Sequence, residues 1–367
     1  MDGLGLTVPP KEDFTLDFIV DTLGKEYMVD TINVFEQETI TMSIGSFAEK
    51  FYEEKPRKEL YNIISLEVSQ ISQLCNSINP PEMVRIISMV EKLWSHRKRE
   101  EIRPYLEKFL LISMEGSFTT FHVDFGGSSV YYHILSGQKI FYLALPTQEN
   151  LEWFRKLELE GEDNEWLPDS LPDSISRLVI KQGETIFLPS GVIHAVYTPV
   201  DSIVIGGNFL HTGSLKMQHR IYEIEMEKKK KFDIDYKFLF PLFVEIHFWY
   251  AKDIFIPALR VSNQKRNNIK ESYEWSCIMD ILPILIKLKN LEKQKETLIW
   301  LSFNRIIKAI QSQIQIQLKI QNPDRSMGLS SSSSRKTRKF LPEISFKPSS
   351  SENLAKRNKM IPDKPWF

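Results

Sequence analysis

The sequence has 367 residues, of which 42% are hydrophobic and 26% charged, with a formal net charge of −1. This composition excludes a wholly disordered or collagen-like chain. Two distant cysteines, Cys75 and Cys277, exclude a disulfide framework or a cysteine-rich zinc site and favour a reducing compartment. The charged N-terminus predicts no signal peptide, and the most apolar stretch, 238–251, is too short and polar to cross a membrane.

Residues 1–104 are predicted to mix helices with a strand. Apolar positions recur at helical spacing up to Gly24, which is expected to end the first helix. Ser46 and Glu49 fit a capping box at the start of a second helix. The predicted elements are helices over 14–23, 46–54 and 82–94 and a strand over 62–68.

Residues 105–212 change to short β segments separated by glycine- and proline-containing turns. This pattern favours a sandwich or barrel over a parallel α/β sheet. An acidic insertion, 158–173, is expected to be an exposed loop. The predicted strands are 120–124, 130–135, 140–145, 177–180, 185–188, 194–197 and 203–209.

Residues 213–322 are predicted to be helical. The alternation of Gln with Ile and Leu over 311–321 fits a strand as well as a helix, and both interpretations stay open. Residues 323–367 contain five consecutive serines and few large apolar residues, which predicts a basic disordered tail. The predicted helices are 215–231, 240–259 and a longer helical region from 278 to 320.

His122 and Asp124 are the residues that point to chemistry. Residues i and i+2 of a strand face the same side, so the two side chains would project together. With a later histidine they would complete the 2-His-1-carboxylate set that binds non-haem Fe(II). His194, after a turn and before an apolar strand, suits this role best, although His133 and His211 also adjoin strands. The alternative is a chance pair beside a hydrogen-bonded core histidine.

Two long runs resemble JmjC-domain histone lysine demethylases. They are HVDFGGSSVYYHILSGQK at 122–139 and KQGETIFLPSGVIHAVYTP at 181–199, the latter followed by GGNFLH at 206–211. The resemblance is nearest to the PHD-finger-linked branch, which is related to the F-box/CXXC branch, and it begins at the run NIISLEVS, 62–69. Several long motifs in the same order make it specific.

The resemblance implies a mixed α+β fold around a double-stranded β-helix, the jelly-roll or cupin-like JmjC barrel. This barrel would occupy 105–212, with the N-terminal mixed region 1–104 packing on it and the helical region 213–322 and the tail 323–367 following. His122, Asp124 and His194 would hold Fe(II).

Lys139 would pair with the distal carboxylate of the cosubstrate 2-oxoglutarate. In the family a threonine three residues before the first histidine contacts the same carboxylate, which here is Thr119. Simple strand alternation instead puts Thr120 on the ligand face, and both assignments stay open. Without the resemblance, Lys139 would be a solvated hairpin lysine. The resemblance also places Tyr132 by the cosubstrate and Asn62 and Asn208 near the pocket.

Three positions depart from the family pattern. The branch commonly has tryptophan where this chain has Tyr131 and Val192, and aspartate at Thr120. None of these changes removes a predicted ligand. No PHD or CXXC finger is recognisable in the sequence.

The implied activity uses Fe(II), 2-oxoglutarate and dioxygen to remove mono- and dimethyl marks from histone lysines in the nucleus. The PHD-linked branch suggests lysine nine or twenty-seven of H3 or lysine twenty of H4, whereas the F-box branch suggests lysine thirty-six of H3. Alternatives are a 2-oxoglutarate-dependent protein hydroxylase and a non-catalytic chromatin-binding module. The intact ligand set and Lys139 argue against the last of these.

The expected partners are a methylated histone tail and chromatin, and no membrane. The basic residues of the tail and of 228–231 are expected to be mostly solvated surface. Weak contact with DNA phosphates through the tail, or nuclear import through 335–339, is the alternative.

Overall fold

The computed structural model describes residues 4–95, 103–160, 175–232, 239–267, 269, 272–291 and 298–321. The chain divides into two units, Met1–Pro323 and Asp324–Phe367. The second unit, which contains the predicted basic tail, lies outside the described residues, as does the part of the predicted acidic loop after residue 160. Among the described helices, none combines the length and apolarity that a membrane span requires.

The described residues contain a nine-stranded antiparallel sheet with helices before, within and after it. The mixed α+β prediction is confirmed. The strands are β1 Met28–Asn33, β2 Glu38–Ser43, β3 Tyr61–Glu67, β4 Phe109–Ser113, β5 Phe118–His122, β6 Ser129–Ala144, β7 Ile175–Lys181, β8 Thr185–Leu188 and β9 Ile193–Phe209.

Two long strands, β6 and β9, fold the sheet back on itself. The first half of β6 lies between β8 and the second half of β9, which in turn pairs with β4. The second half of β6 lies between β7 and the first half of β9, which pairs with β5. These two four-stranded faces form the expected jelly roll, and β3, β1 and β2 extend one of them.

Four of the predicted short strands are halves of these two long ones. The Ser136-Gly137 turn expected between two strands is instead a kink within β6, where the register with β9 shifts repeatedly between Ile134 and Ile140. Gly137 takes φ 88°, and a Cβ there would lie 2.3 Å from the Asp201 carbonyl oxygen. The glycine therefore lets one strand bend from one face of the barrel to the other.

The described part of the N-terminal region supplies five helices, of which the first four pack against the sheet and the fifth packs with the C-terminal helices. Its described helices are α1 Leu16–Leu23, α2 Ile44–Phe51, α3 Ser72–Cys75, α4 Glu82–Ile87 and α5 Met89–Ser95. Gly24 ends α1 as expected. The predicted cap Ser46 is wrong, because Ser43, the last residue of β2, caps α2 by accepting from the Ser46 amide. The single predicted helix over 82–94 is interrupted at Ser88, which bridges to His211.

The insertion between β6 and β7 carries α6, Gln148–Glu160. The predicted exposed loop is therefore wrong at its start, because residues 158–160 complete this helix. Leu151 and Phe154 are buried against the helix that follows β9, and this apolar face stabilises α6.

The C-terminal region is helical, as predicted, and includes the open segment 311–321. Its described helices are α7 Leu215–Phe232, α8 Phe243–Tyr250, α9 Ile256–Gln264, α10 Tyr273–Leu291 and α11 Leu298–Gln321, with a short π-helix, Ala251–Phe255, between α8 and α9. Along 311–321, Ile314 and Gln317 are buried while Ile316 and Leu318 are partly exposed. This three-residue spacing of buried positions is helical, so the alternation in the sequence did not determine the structure.

Candidate metal centre and cavity

His122, Asp124 and His194 come together at one end of the barrel. Each offers one ligand atom, and the three atoms lie within 4.8 Å of one another. His122 ends β5 and pairs directly with His194 of β9, so that their ring centroids are 4.2 Å apart. Asp124 follows two residues later, and its Oδ2 lies 3.9 Å from His194 Nε2.

Backbone carbonyl groups orient both imidazole rings. His122 Nδ1 lies 2.8 Å from the carbonyl oxygen of Thr120, and His194 Nδ1 lies 3.1 Å from that of Val192. Since a carbonyl only accepts, each Nδ1 carries the proton, which leaves the lone pair on Nε2 free. Burial lowers the pKa of His194 to about 4, so this ring is neutral at pH 7 and able to ligate a metal ion.

This donor set fits Fe(II). Two imidazoles and one carboxylate on a shared face match the facial triad of non-haem iron proteins, which leaves further coordination positions open. Within the described residues, no thiol joins the three side chains.

The triad borders a cavity of about 360 Å³. Barrel strands, α6 and α7 all contribute to its wall, which is largely apolar. The polar and charged lining residues include Ser65, Ser113, Thr119, His122, Asp124, Tyr132, Lys139, Glu158, His194, Asn208, Glu225 and Lys228.

Lys139 lies in this cavity with only 3% of its surface exposed. Its Nζ donates to Thr198 Oγ1 at 2.7 Å, and no carboxylate of the described residues pairs with it. Burial lowers the pKa of Lys139 to about 7. A buried amine without a counter-ion is costly, so the site is suited to an anionic ligand. The solvated-hairpin alternative is wrong for this residue.

Thr119 lines the cavity, whereas Thr120 is exposed. A register shift lies between Thr119 and His122, so strict alternation fails along this part of β5. Tyr132 also lines the cavity, and its ring packs edge-on against Phe141 at 5.2 Å.

The two predicted asparagines differ in position. Asn208 Nδ2 donates to Asp124 Oδ1 at 3.3 Å and to Ser128 Oγ at 2.9 Å, so it adjoins the triad directly. Asn62 is buried on β3, where its Nδ2 is 3.5 Å from the Phe118 carbonyl oxygen. It is not among the described residues that line the cavity.

The other histidines of the described residues lie elsewhere. His133 bonds Thr185 and His211 contacts Ser129 and Ser214. His219 pairs with Glu223, and His247 is fully buried in α8. His96 lies outside the described residues.

Tyr131 and Val192, which stand where the resembling branch commonly has tryptophan, both fit into the barrel. Tyr131 is fully buried, and its hydroxyl donates to the Glu107 carbonyl oxygen at 2.5 Å. Val192 is buried and supplies the carbonyl that orients His194. Neither departure disrupts the triad.

Two acidic residues of the cavity were not singled out from the sequence. Glu158 of α6 pairs with Lys228 of α7 at 2.6 Å, and Glu225 of α7 accepts from the Gly126 amide at 2.7 Å. Both lie on helices that are distant in sequence from His122 and Asp124. No local pattern in the sequence predicts that they line the same cavity.

Comparisons with known proteins agree with this geometry. Residues 109–209 match the model of the JmjC domain, described as a hydroxylase. The chain is 39% identical over 267 residues to histone lysine demethylase PHF8 of Danio rerio, covering 73% of this chain and 25% of the relative. It is 38% identical to lysine-specific demethylase 2B of Mus musculus (70% and 20%) and to lysine-specific demethylase 7A of Danio rerio (69% and 28%). The chain thus spans between a fifth and little more than a quarter of these relatives.

Proposed function

We propose that this chain is an Fe(II)- and 2-oxoglutarate-dependent histone lysine demethylase, because residues 109–209 match the JmjC domain and contain the His-Asp-His triad. The observation that carries the proposal is one cavity bordered both by the triad and by the buried Lys139, which has no carboxylate partner among the described residues. A metal ion and a dicarboxylate would satisfy both features at once.

In this proposal His122, Asp124 and His194 hold Fe(II), and the amine of Lys139 binds the distal carboxylate of 2-oxoglutarate. Thr119 adds a hydroxyl donor to that carboxylate. When bound, iron and 2-oxoglutarate would supply, with dioxygen, hydroxylation of an N-methyl carbon. One oxygen atom would enter the methyl group, which would leave as formaldehyde, and the other would enter the succinate formed as 2-oxoglutarate loses carbon dioxide. The apolar lining of the cavity keeps water from the reacting groups.

The proposed substrate is a histone tail carrying mono- or dimethyl-lysine. Methylation leaves the ammonium charged, and the ring of Tyr132 offers it an aromatic face within the cavity. The resemblance of the motifs at 122–139 and 181–199 to the PHD-finger-linked branch favours lysine nine or twenty-seven of H3 or lysine twenty of H4. The related F-box/CXXC branch suggests lysine thirty-six of H3 as the alternative. We also propose that the protein acts on chromatin in the nucleus.

The test is mass spectrometry of a methylated histone peptide panel incubated with the chain, Fe(II), ascorbate and 2-oxoglutarate. The inactive variant is His122→Ala combined with Asp124→Ala. The matched control is His133→Ala, which also removes a barrel imidazole, but one that does not line the cavity.

Stepwise loss of 14 Da per methyl group, dependent on the triad and retained in His133→Ala, is the expected result. A gain of one oxygen on a peptide would instead assign a protein hydroxylase. No turnover together with no binding of 2-oxoglutarate would refute an enzymatic role.

A further inference from the structure

The turn directly after Asp124 contains two glycines with positive φ. Gly126 has φ 60° and Gly127 has φ 57°, both within the single-turn helix Phe125–Gly127. Glycine has more backbone freedom than any other residue. The position of the Asp124 carboxylate therefore depends on contacts that immobilise this turn from outside.

The C-terminal region packs closely against the turn. A Cβ on Gly126 would lie 2.7 Å from the Phe240 Cβ, and one on Gly127 would lie 3.0 Å from the Ile221 Cβ. Only glycine lets the backbone of the turn approach these side chains so closely. Ser190, between β8 and β9, also donates its hydroxyl to the Gly127 carbonyl oxygen.

Glu225 of α7 makes the directional contact to the turn. Its Oε1 accepts from the Gly126 amide at 2.7 Å. Its Oε2 is buried and has no hydrogen-bond partner among the described residues. Burial raises the pKa of Glu225 to about 8, which shows how fully this carboxyl is withdrawn from solvent.

We propose that Glu225 is a positioning residue for the metal ligand Asp124, acting through the Gly126 amide. The inference rests on the proposed metal-dependent function and assigns part of it to the helix that follows the barrel. Removing the acceptor frees the two-glycine turn, and the carboxylate of Asp124 then spends less time beside His122 and His194. Groups that orient metal ligands typically change metal affinity when removed.

The experiment is calorimetric titration of the metal-free full chain with Mn(II), without substrate or turnover. Glu225→Ala removes the acceptor, whereas Glu225→Gln keeps a carbonyl oxygen for the Gly126 amide. The control is Glu227→Ala on the same helix, because Glu227 is exposed and pairs with Arg155 rather than with the turn.

Glu225→Ala is expected to raise the Kd for Mn(II) about 10- to 100-fold, while Glu225→Gln and Glu227→Ala stay within about threefold of wild type. Melting of the metal-free variants shows whether each is folded. Where Glu225→Ala does not fold, Glu225→Asp serves instead, because its shorter side chain withdraws the acceptor but keeps a carboxyl.

An unchanged Kd in the folded variant that lacks the acceptor overturns the inference. Equal weakening in Glu225→Gln also overturns it, since the amide retains the acceptor. In both cases Mn(II) binding by the wild type leaves the proposed function standing. If the wild type binds no Mn(II), the proposed function and the inference both fail.

Discussion

Thr119 and His122 face the same cavity although they are three residues apart on one strand. Thr119 pairs with Val196 and His122 with His194, so three steps along β5 match two along β9. The extra residue is a β-bulge, which reverses the side-chain alternation. It brings a threonine hydroxyl and an imidazole onto the same side of the barrel.

This bulge predicts different roles for two adjacent threonines. Thr119→Val is expected to raise the Kd for 2-oxoglutarate about 10- to 100-fold, because a hydrogen bond to a charged group contributes roughly 1.5–3 kcal/mol. The isosteric Thr120→Val is expected to leave it unchanged, since Thr120 is exposed. Calorimetry with 2-oxoglutarate and Mn(II) measures both, and a larger effect at Thr120 would favour simple alternation.

Lys139 is expected to reduce stability while supporting ligand binding. Its pKa is lowered to about 7, whereas the unfolded chain keeps its lysine protonated up to about pH 10.4, so folding above pH 7 releases a proton. Lys139→Met removes this cost and is expected to raise the melting temperature of the ligand-free chain at pH 7.5. It should also weaken 2-oxoglutarate binding about 100-fold or more. If Lys139→Met is less stable than the wild type and still binds 2-oxoglutarate, Lys139 does not have this role.

Asn208 is expected to support metal binding through Asp124. Its amide donates to the Asp124 carboxylate and to Ser128, so Asn208→Ala should raise the Kd for Mn(II) about tenfold. Asn150→Ala is the matched control. This asparagine is also buried, but its side chain donates to the Leu145 carbonyl oxygen, just before α6, and not to the metal site. Equal metal affinity in the two variants would refute the assignment.

His247 is expected to make the chain acid-sensitive. Burial lowers its pKa to about 4, so between about pH 6.5 and 4 the unfolded chain binds a proton that the folded chain does not. Stability therefore falls as the pH falls through this window, by up to about 1.4 kcal/mol per pH unit for this residue.

His247→Phe removes this titration, and the ring of Phe243, 4.3 Å from that of His247, provides aromatic surroundings for the replacement. Urea unfolding at several pH values should then give a smaller slope of stability against pH. Parallel curves for the variant and the wild type would show that another group controls the acid response.

Local features of the sequence predicted the pieces of this fold well. Hydrophobic patterning located α1, β3, β8 and α7, and turn residues marked the β-rich region. The same patterning did not predict the hairpin β1–β2 or the strand β4. It also predicted β6 and β9 as two short strands each. Long strands that bend at a glycine look like two short strands, because only their partners reveal that the pairing continues.

The sequence by itself determined the HxD pair, since His122 and Asp124 are close in the chain whatever the fold. The resemblance of its long motifs also indicated which lysine and which later histidine to examine. Tertiary structure alone brought His194 to His122, because pairing between β5 and β9 joins residues 72 positions apart.

Tertiary structure also decided which side chains face the cavity beyond that pair. Side chains seven residues apart on a regular strand point to opposite faces. The register shifts of β6 between Tyr132 and Lys139 reverse this alternation, so both side chains line the cavity. The desolvation of Lys139 and the contact of Glu225 with Gly126 arise in the same way. Each is a property of packing between distant segments, which no local pattern of residues encodes.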